Sequence, residues 1–162
     1  MDVSVYLSVS PPDGFTKWGE PEWERWLRDH PWESAERICS RGDWAIFLYQ
    51  IRAHADRAKK LIEPHLEALV NERALDKQAC DDLRLALQTA REELAAKPAA
   101  ELMKHNNTFA SVEDLESMIF AAQERLGRLP TAADVWEEVF DAVAKVLADA
   151  EKQKRGVYFG NV

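Results

Sequence analysis

The sequence predicts an all-α or mainly α fold, a single-domain bundle of about five to six helices with a small β ribbon joining the termini. Three observations carry that expectation. Apolar residues recur at three- and four-residue spacing from Asp43 to about Lys154. Two segments, Ser111-Val-Glu-Asp114 and Thr131-Ala-Ala-Asp134, are spelled as capping boxes with Asp in place of Glu. Only the two ends of the chain carry β-type patterning. Hydrophobic residues make up 46% of the 162, enough to build a core without disulfide or metal staples.

Residues 1–14 read as a strand and turn. Val3, Val5, Leu7 and Val9 alternate with Ser4, Tyr6 and Ser8, which is the period of a half-buried strand. Pro11-Pro12-Asp13-Gly14 then turns the chain. Residues 15–42 are rich in tryptophan and suit short helices. Pro21 and Pro31 each stand where a first helical turn tolerates a missing N–H. Trp23, Trp26 and Leu27 share one helical face. Trp32, Ala35 and Cys39 share the face of a second helix, which Gly42 terminates.

Residues 43–97 read as a helical hairpin. Asp43 caps the first arm, whose seam runs Trp44, Leu48, Ile51, Ala55, Ala58 and Ile62 at nearly heptad spacing. Pro64 removes a backbone donor and ends or kinks that arm, and Leu66, Leu69 and Val70 extend the stripe. Asp76 caps the second arm, through about Ala96, with Cys80, Leu83, Leu87, Ala90 and Leu94 on one face. The short gap between the arms implies antiparallel packing.

Residues 98–110 form a loop with one helical turn around Leu102 and Met103. Residues 111–154 form a capped acidic helix pair. Its apolar positions are Val112, Leu115, Ile119, Ala122 and Leu126, then Val135, Val139, Val143, Val146 and Ala150. Gly127 and Pro130 punctuate between them. Residues 155–162 are a tail or short strand around Val157-Tyr158-Phe159, placed to pair with the first strand.

Charge narrows the function. The net charge of −8 disfavours direct nucleic-acid binding, which gains affinity when Lys and Arg release counterions from phosphates. It favours steering toward a basic surface. The amino terminus lacks a basic and apolar leader, and no apolar run approaches membrane-spanning length. Cys39 and Cys80 have no metal-type spacing. A cytoplasmic protein with reduced, buried thiols is the expectation, with no membrane partner and no cofactor.

Eight acids and two bases lie between Glu113 and Asp141. Asp134, Glu137, Glu138 and Asp141 fall at i, i+3, i+4, i+7, one helical face opposite Val139 and Val143. Such a face is a solvated helix side, a docking surface for a basic partner, or a cation-binding patch. The tryptophans invite the same choice between core and interface anchor. The leading expectation is a non-enzymatic protein-binding module, of the kind suited to inhibitors and to immunity or anti-defence proteins, that occupies a basic surface of another protein. Its expected contact residues are Glu113, Glu116, Glu124, Asp134, Glu137, Glu138, Asp141, Trp23 and Trp26. A homodimer is compatible with the same surfaces.

Two alternatives come from other classes. An enzyme could assemble a site from dispersed groups, with His54, His65, Glu101 and His105 as candidates. No HExxH, P-loop, GxGxxG or GxSxG motif supports it. A helix-turn-helix regulator is the other. The stretch Gln123-Glu-Arg-Leu-Gly-Arg-Leu-Pro-Thr-Ala-Ala-Asp-Val-Trp136 resembles the helix-turn-helix corner of bacterial sigma-factor regions. That resemblance covers 14 residues and implies a helix–helix corner. The helix that follows carries acids where a DNA reader needs Arg or Lys.

Overall fold

Val5 is paired on both sides, with Cys39 in one ladder and Asn161 in the other, and that arrangement joins the two ends of the chain. The structure, a computed structural model, describes residues 4–9, 29, 36–70, 74–104 and 112–161. Strand β1 (Ser4–Val9) runs antiparallel to the last strand, β4 (Val157–Asn161). On its other side lies β2 (Glu36–Ser40), also antiparallel. A two-residue strand, β3 (Ala74–Leu75), pairs with β4, so the order is β2-β1-β4-β3. The expected terminal ribbon is therefore the centre of a small sheet. Val157, Tyr158 and Phe159 are all buried, so both faces of β4 are covered and strict alternation is lost.

The rest of the described chain is mainly helical. Helix α1 (Arg41–His54) follows β2 directly, and after it come α2 (Asp56–Ile62), a 3-10 turn (Glu63–His65) and α3 (Leu66–Val70). Beyond β3 are α4 (Lys77–Ala95) and a 3-10 helix (Ala99–Met103). Then come α5 (Val112–Leu126), the short α6 (Ala132–Val135) and α7 (Glu137–Gln153). No helix among the described residues is long and apolar enough to cross a membrane.

The hairpin seams meet as their spacing predicts. Trp44, Leu48, Ile51, Ala55, Ala58 and Ile62 are all buried, and so are Cys80, Leu83, Leu87, Ala90 and Leu94. They belong to one continuous apolar cluster that also takes in α7 and the sheet. An aromatic group links these layers. Phe47 lies 5.5 Å from Trp44, 5.4 Å from Trp136 and 5.1 Å, edge-on, from Phe140. Trp44 also stacks 5.5 Å from Phe159 of β4 and donates its indole N–H to Leu69 O at 2.9 Å. Trp44 and Trp136 are thus core residues. Trp18, Trp23, Trp26 and Trp32 lie outside the described residues.

Several local expectations are corrected. Residues 36–40 are a strand, not the end of a helix through Trp32, Ala35 and Cys39. Cys39 is held in register by β1, and the ladder outweighs the helical spacing. Gly42 accordingly sits inside the first turn of α1 and does not terminate a helix; Ser40 is the cap, accepting from Asp43 N at 3.1 Å. The first arm of the hairpin breaks at Ala55 (φ −129, ψ 83), well before Pro64. Glu93 of α4 accepts from the N–H groups of Arg57 and Ala58 at 3.3 and 2.9 Å. Those are helix-start donors with no partner inside α2. The final helix breaks at Trp136 (φ −106, ψ 13), whose indole is buried.

The last turn of α7 returns the chain to the sheet. Lys154 adopts a left-handed conformation (φ 55, ψ 44), and Arg155 N donates to Ala150 O at 2.9 Å. Gly156 follows because β3 passes too close for a side chain. A Cβ there would lie 2.0 Å from Leu75 O.

Candidate functional site

The acids singled out by sequence divide into two groups. Those of α6 and α7 are engaged by the protein's own arginines. Arg91 of α4 donates to Asp141 at 2.8 Å. Arg125 of α5 lies 3.3 Å from Glu137 and 4.0 Å from Glu138, and donates to Asp134 O at 3.0 Å. Arg128 donates to the Asp134 carboxylate at 2.9 Å.

Asp134 serves the fold outright. Its carboxylate accepts from Thr131 N at 2.8 Å while Thr131 Oγ1 accepts from Asp134 N at 3.2 Å, a complete capping box. Its side chain is 18% exposed. Burial pushes its pKa up, but the bonds from Arg128 and Thr131 outweigh that and hold it below the usual carboxylate range. Glu138 and Asp141 are exposed at the side-chain level, and Glu137 is half-buried against Arg125.

The acids of α5 are different. Glu113, Glu116 and Glu124 are all exposed, and none forms an ion pair among the described residues. They surround a residue the sequence reading passed over. Phe120 is 62% exposed. The apolar seam of α5 uses Leu115 and Ala122, both buried, with Ile119 and Leu126 partly so. Phe120 falls on the opposite side, where a solvated helix would carry a polar group. Glu116 and Glu124 stand one turn away on either side of it, and Glu113 two turns away on the same stripe. The missed signal was an aromatic residue out of phase with its own helix.

Of the dispersed polar groups, His54 and Glu101 lie close enough for the histidine to act electrostatically on the carboxylate, while His65 is engaged elsewhere. His65 lies 3.2 Å from Asp82 of α4. His54 is buried at the end of α1, where its carbonyl accepts from Lys97 Nζ at 2.7 Å. Glu101 accepts from Lys104 at 2.9 Å, and that bond holds its carboxyl below the usual range. His105 lies outside the described residues. Among the described residues no group of three or more His, Cys, Asp or Glu side chains could hold a metal ion.

Cys39 and Cys80 are free thiols in the core. Burial pushes Cys39 up to about 12 and Cys80 up to about 11, so neither supplies a thiolate near neutral pH.

The corner that resembles a helix-turn-helix is present, with Gly127 at φ +66 and Thr131 capping α6. The helix it opens is four residues long, and Ala132, Ala133 and the following Trp136 are buried. It does not present the long exposed face that a DNA-reading helix lays in the major groove.

No protein-family model, characterised protein or solved structure matches this chain.

Proposed function

We propose that the chain is a protein-binding module that docks a basic partner through the outer face of α5. Phe120 is the apolar anchor, and Glu113, Glu116 and Glu124 are the carboxylates around it. The observation that carries this reading is the exposure of Phe120 among three acids that are not ion-paired among the described residues. Aromatic residues are enriched at the buried centres of interfaces, and charged rims set association rate and partner choice. The complementary surface is an apolar pocket rimmed by Lys and Arg. Such rims occur on proteins that handle nucleic acid, and a module seated there acts as an inhibitor. The acids of α7 contribute less than their spacing suggests, because Arg91 and Arg125 neutralise them.

The test is capture from host and competitor lysates on three immobilised forms: wild type, Phe120→Ser, and Glu113→Lys/Glu116→Lys/Glu124→Lys. The expected result is a partner held by wild type, released at high salt, and lost from both variants. With that partner purified, Phe120→Ser should weaken binding at least about tenfold, the scale of a hot-spot residue. The same proteins retained equally on all three forms would remove α5 as the interface.

A further inference from the structure

Helices α4 and α7 are tied together at two points by arginines of α4. Arg84 donates to Leu147 O at 3.2 Å and lies 3.6 Å from Glu151. Arg91 donates to Asp141 at 2.8 Å, with its guanidinium carbon 5.6 Å from the centre of the Phe140 ring. The contacts run in opposite chain directions, so the helices are antiparallel here. Seven residues separate the two straps on α4, roughly 10 Å along the axis.

Between the straps is an open cavity of about 220 Å³. Leu87, Phe140, Leu147 and Ala144 give it an apolar lining. Ala144 contributes only a methyl group to that lining. The cavity is of a size that holds a small apolar molecule.

The arginines set the ligand's polarity. Arg84 is committed at both terminal nitrogens, to Asp81 at 2.9 Å and to Leu147 O. Among the described residues Arg91 is committed at Nη1 only. Its Nε and Nη2 remain, the side-on fork that takes a carboxylate bidentately. Asp141 occupies Nη1, and the pair is solvated, with the Arg91 and Asp141 side chains 40% and 61% exposed. Carboxylates stand beside both guanidiniums, Asp81 and Glu151 at Arg84 and Asp141 at Arg91, so the open edge of Arg91, not the net charge, selects the anion.

From this geometry we infer that the groove between α4 and α7 binds an elongated apolar monocarboxylate of medium chain length. Its carboxylate sits on the open edge of Arg91, and its chain lies over Leu87 and Ala144 toward Leu147. This face is distinct from that of Phe120, and the inference stands independently of the α5 partner.

Octanoate, whose extended chain is of comparable length, is the probe, and 1-octanol is its uncharged counterpart. Titration of the intact protein is followed through backbone amide shifts. Octanoate should bind saturably and shift Leu87, Gln88 and Ala144. Ala144→Trp fills the groove from an exposed position and should weaken octanoate at least tenfold. Arg91→Met keeps the aliphatic stem and should weaken octanoate about tenfold while leaving 1-octanol unchanged. Three results would each overturn the inference: no saturable octanoate binding to wild type, unchanged binding to Ala144→Trp, or equal loss of both probes in Arg91→Met. Amide spectra of each variant matching wild type away from the groove confirm that it is folded.

Discussion

Arg91 and Asp141 meet at 2.8 Å across the gap between α4 and α7, and the contact changes the meaning of both. Asp141 belongs to a stripe of acids that sequence spacing presents as one docking face. Its partner lies 50 residues earlier in the chain, so the pairing is invisible to any local pattern. Arg91 in turn spends one nitrogen on Asp141 and lays its guanidinium on Phe140. One surface ion pair thus takes an acid out of the protein's free charge and shapes the end of a groove.

The core makes the first prediction. Leu83 is 1% exposed and Leu87 6%, and Leu87 also lines the groove. Leu83→Ala should cost about 2–5 kcal/mol, the range for a closed apolar cavity. Leu87→Ala should cost less, near 2 kcal/mol, because the space it leaves opens to water. Urea denaturation of both variants checks the order. A larger loss at Leu87 would mean that the groove is closed in solution.

The capping box makes the second. Thr131→Ala removes the acceptor for Asp134 N and should cost about 1 kcal/mol. Asp134 adds a pH dependence. Its folded pKa is lowered, so its contribution is complete above the unfolded carboxylate value of about 3.9 and is lost as pH falls through the lower folded value. The stability gap between wild type and Asp134→Asn should therefore close between about pH 5 and pH 2. A gap constant across that range would show that the carboxylate's charge plays no part.

These examples mark where sequence was sufficient. Burial of both hairpin seams, the Thr131 capping box and the pairing of the two ends were legible, because each rests on a period or a short-range bond. The strand at 36–40 was not, because a ladder to β1 outweighs the helical spacing of Cys39. The breaks at Ala55 and Trp136 were not: Glu93 of α4 accepts from the N–H groups just past the first, and the second falls at a tryptophan packed on Phe47 of α1. For the candidate site, three of the acids kept their expected exposure without ion pairing among the described residues. Phe120 was hidden by its own composition, since an aromatic residue in a helix reads as core until its phase is checked. Trp23 and Trp26 lie outside the described residues.

The end of α7 makes the third prediction. Lys154 holds a left-handed backbone that costs a residue with a Cβ roughly 1 kcal/mol or more. Its side chain is exposed. Lys154→Gly relieves the strain and keeps the Arg155 N to Ala150 O bond. It should raise stability by about 0.5–1 kcal/mol after the added entropy of glycine in the unfolded chain. A rise in urea midpoint with unchanged slope is the expected record, and a fall would mean that Lys154 makes a contact worth more than the strain.

The two sets of acids make the last. Glu137→Lys/Glu138→Lys/Asp141→Lys and Glu113→Lys/Glu116→Lys/Glu124→Lys alter net charge equally, so general self-repulsion cancels between them. Their contexts differ. The α7 set loses contacts with Arg125 and Arg91 and sets Lys beside each arginine. Each exposed pair contributes up to about 1 kcal/mol, the 4.0 Å contact to Glu138 least, and like charges add a smaller penalty, so the α7 variant should lose roughly 1–2 kcal/mol. The α5 set breaks no ion pair among the described residues. Only Glu113, in the first turn, gives up a favourable dipole contact, and the loss should stay under about 1 kcal/mol. Binding should reverse that ranking. With a captured partner in hand, the α5 variant should lose it and the less stable α7 variant should keep it, at a temperature where both are folded. Binding lost from the α7 variant and kept by the α5 variant would move the interface to α7, and Phe120 would then need another explanation for its exposure.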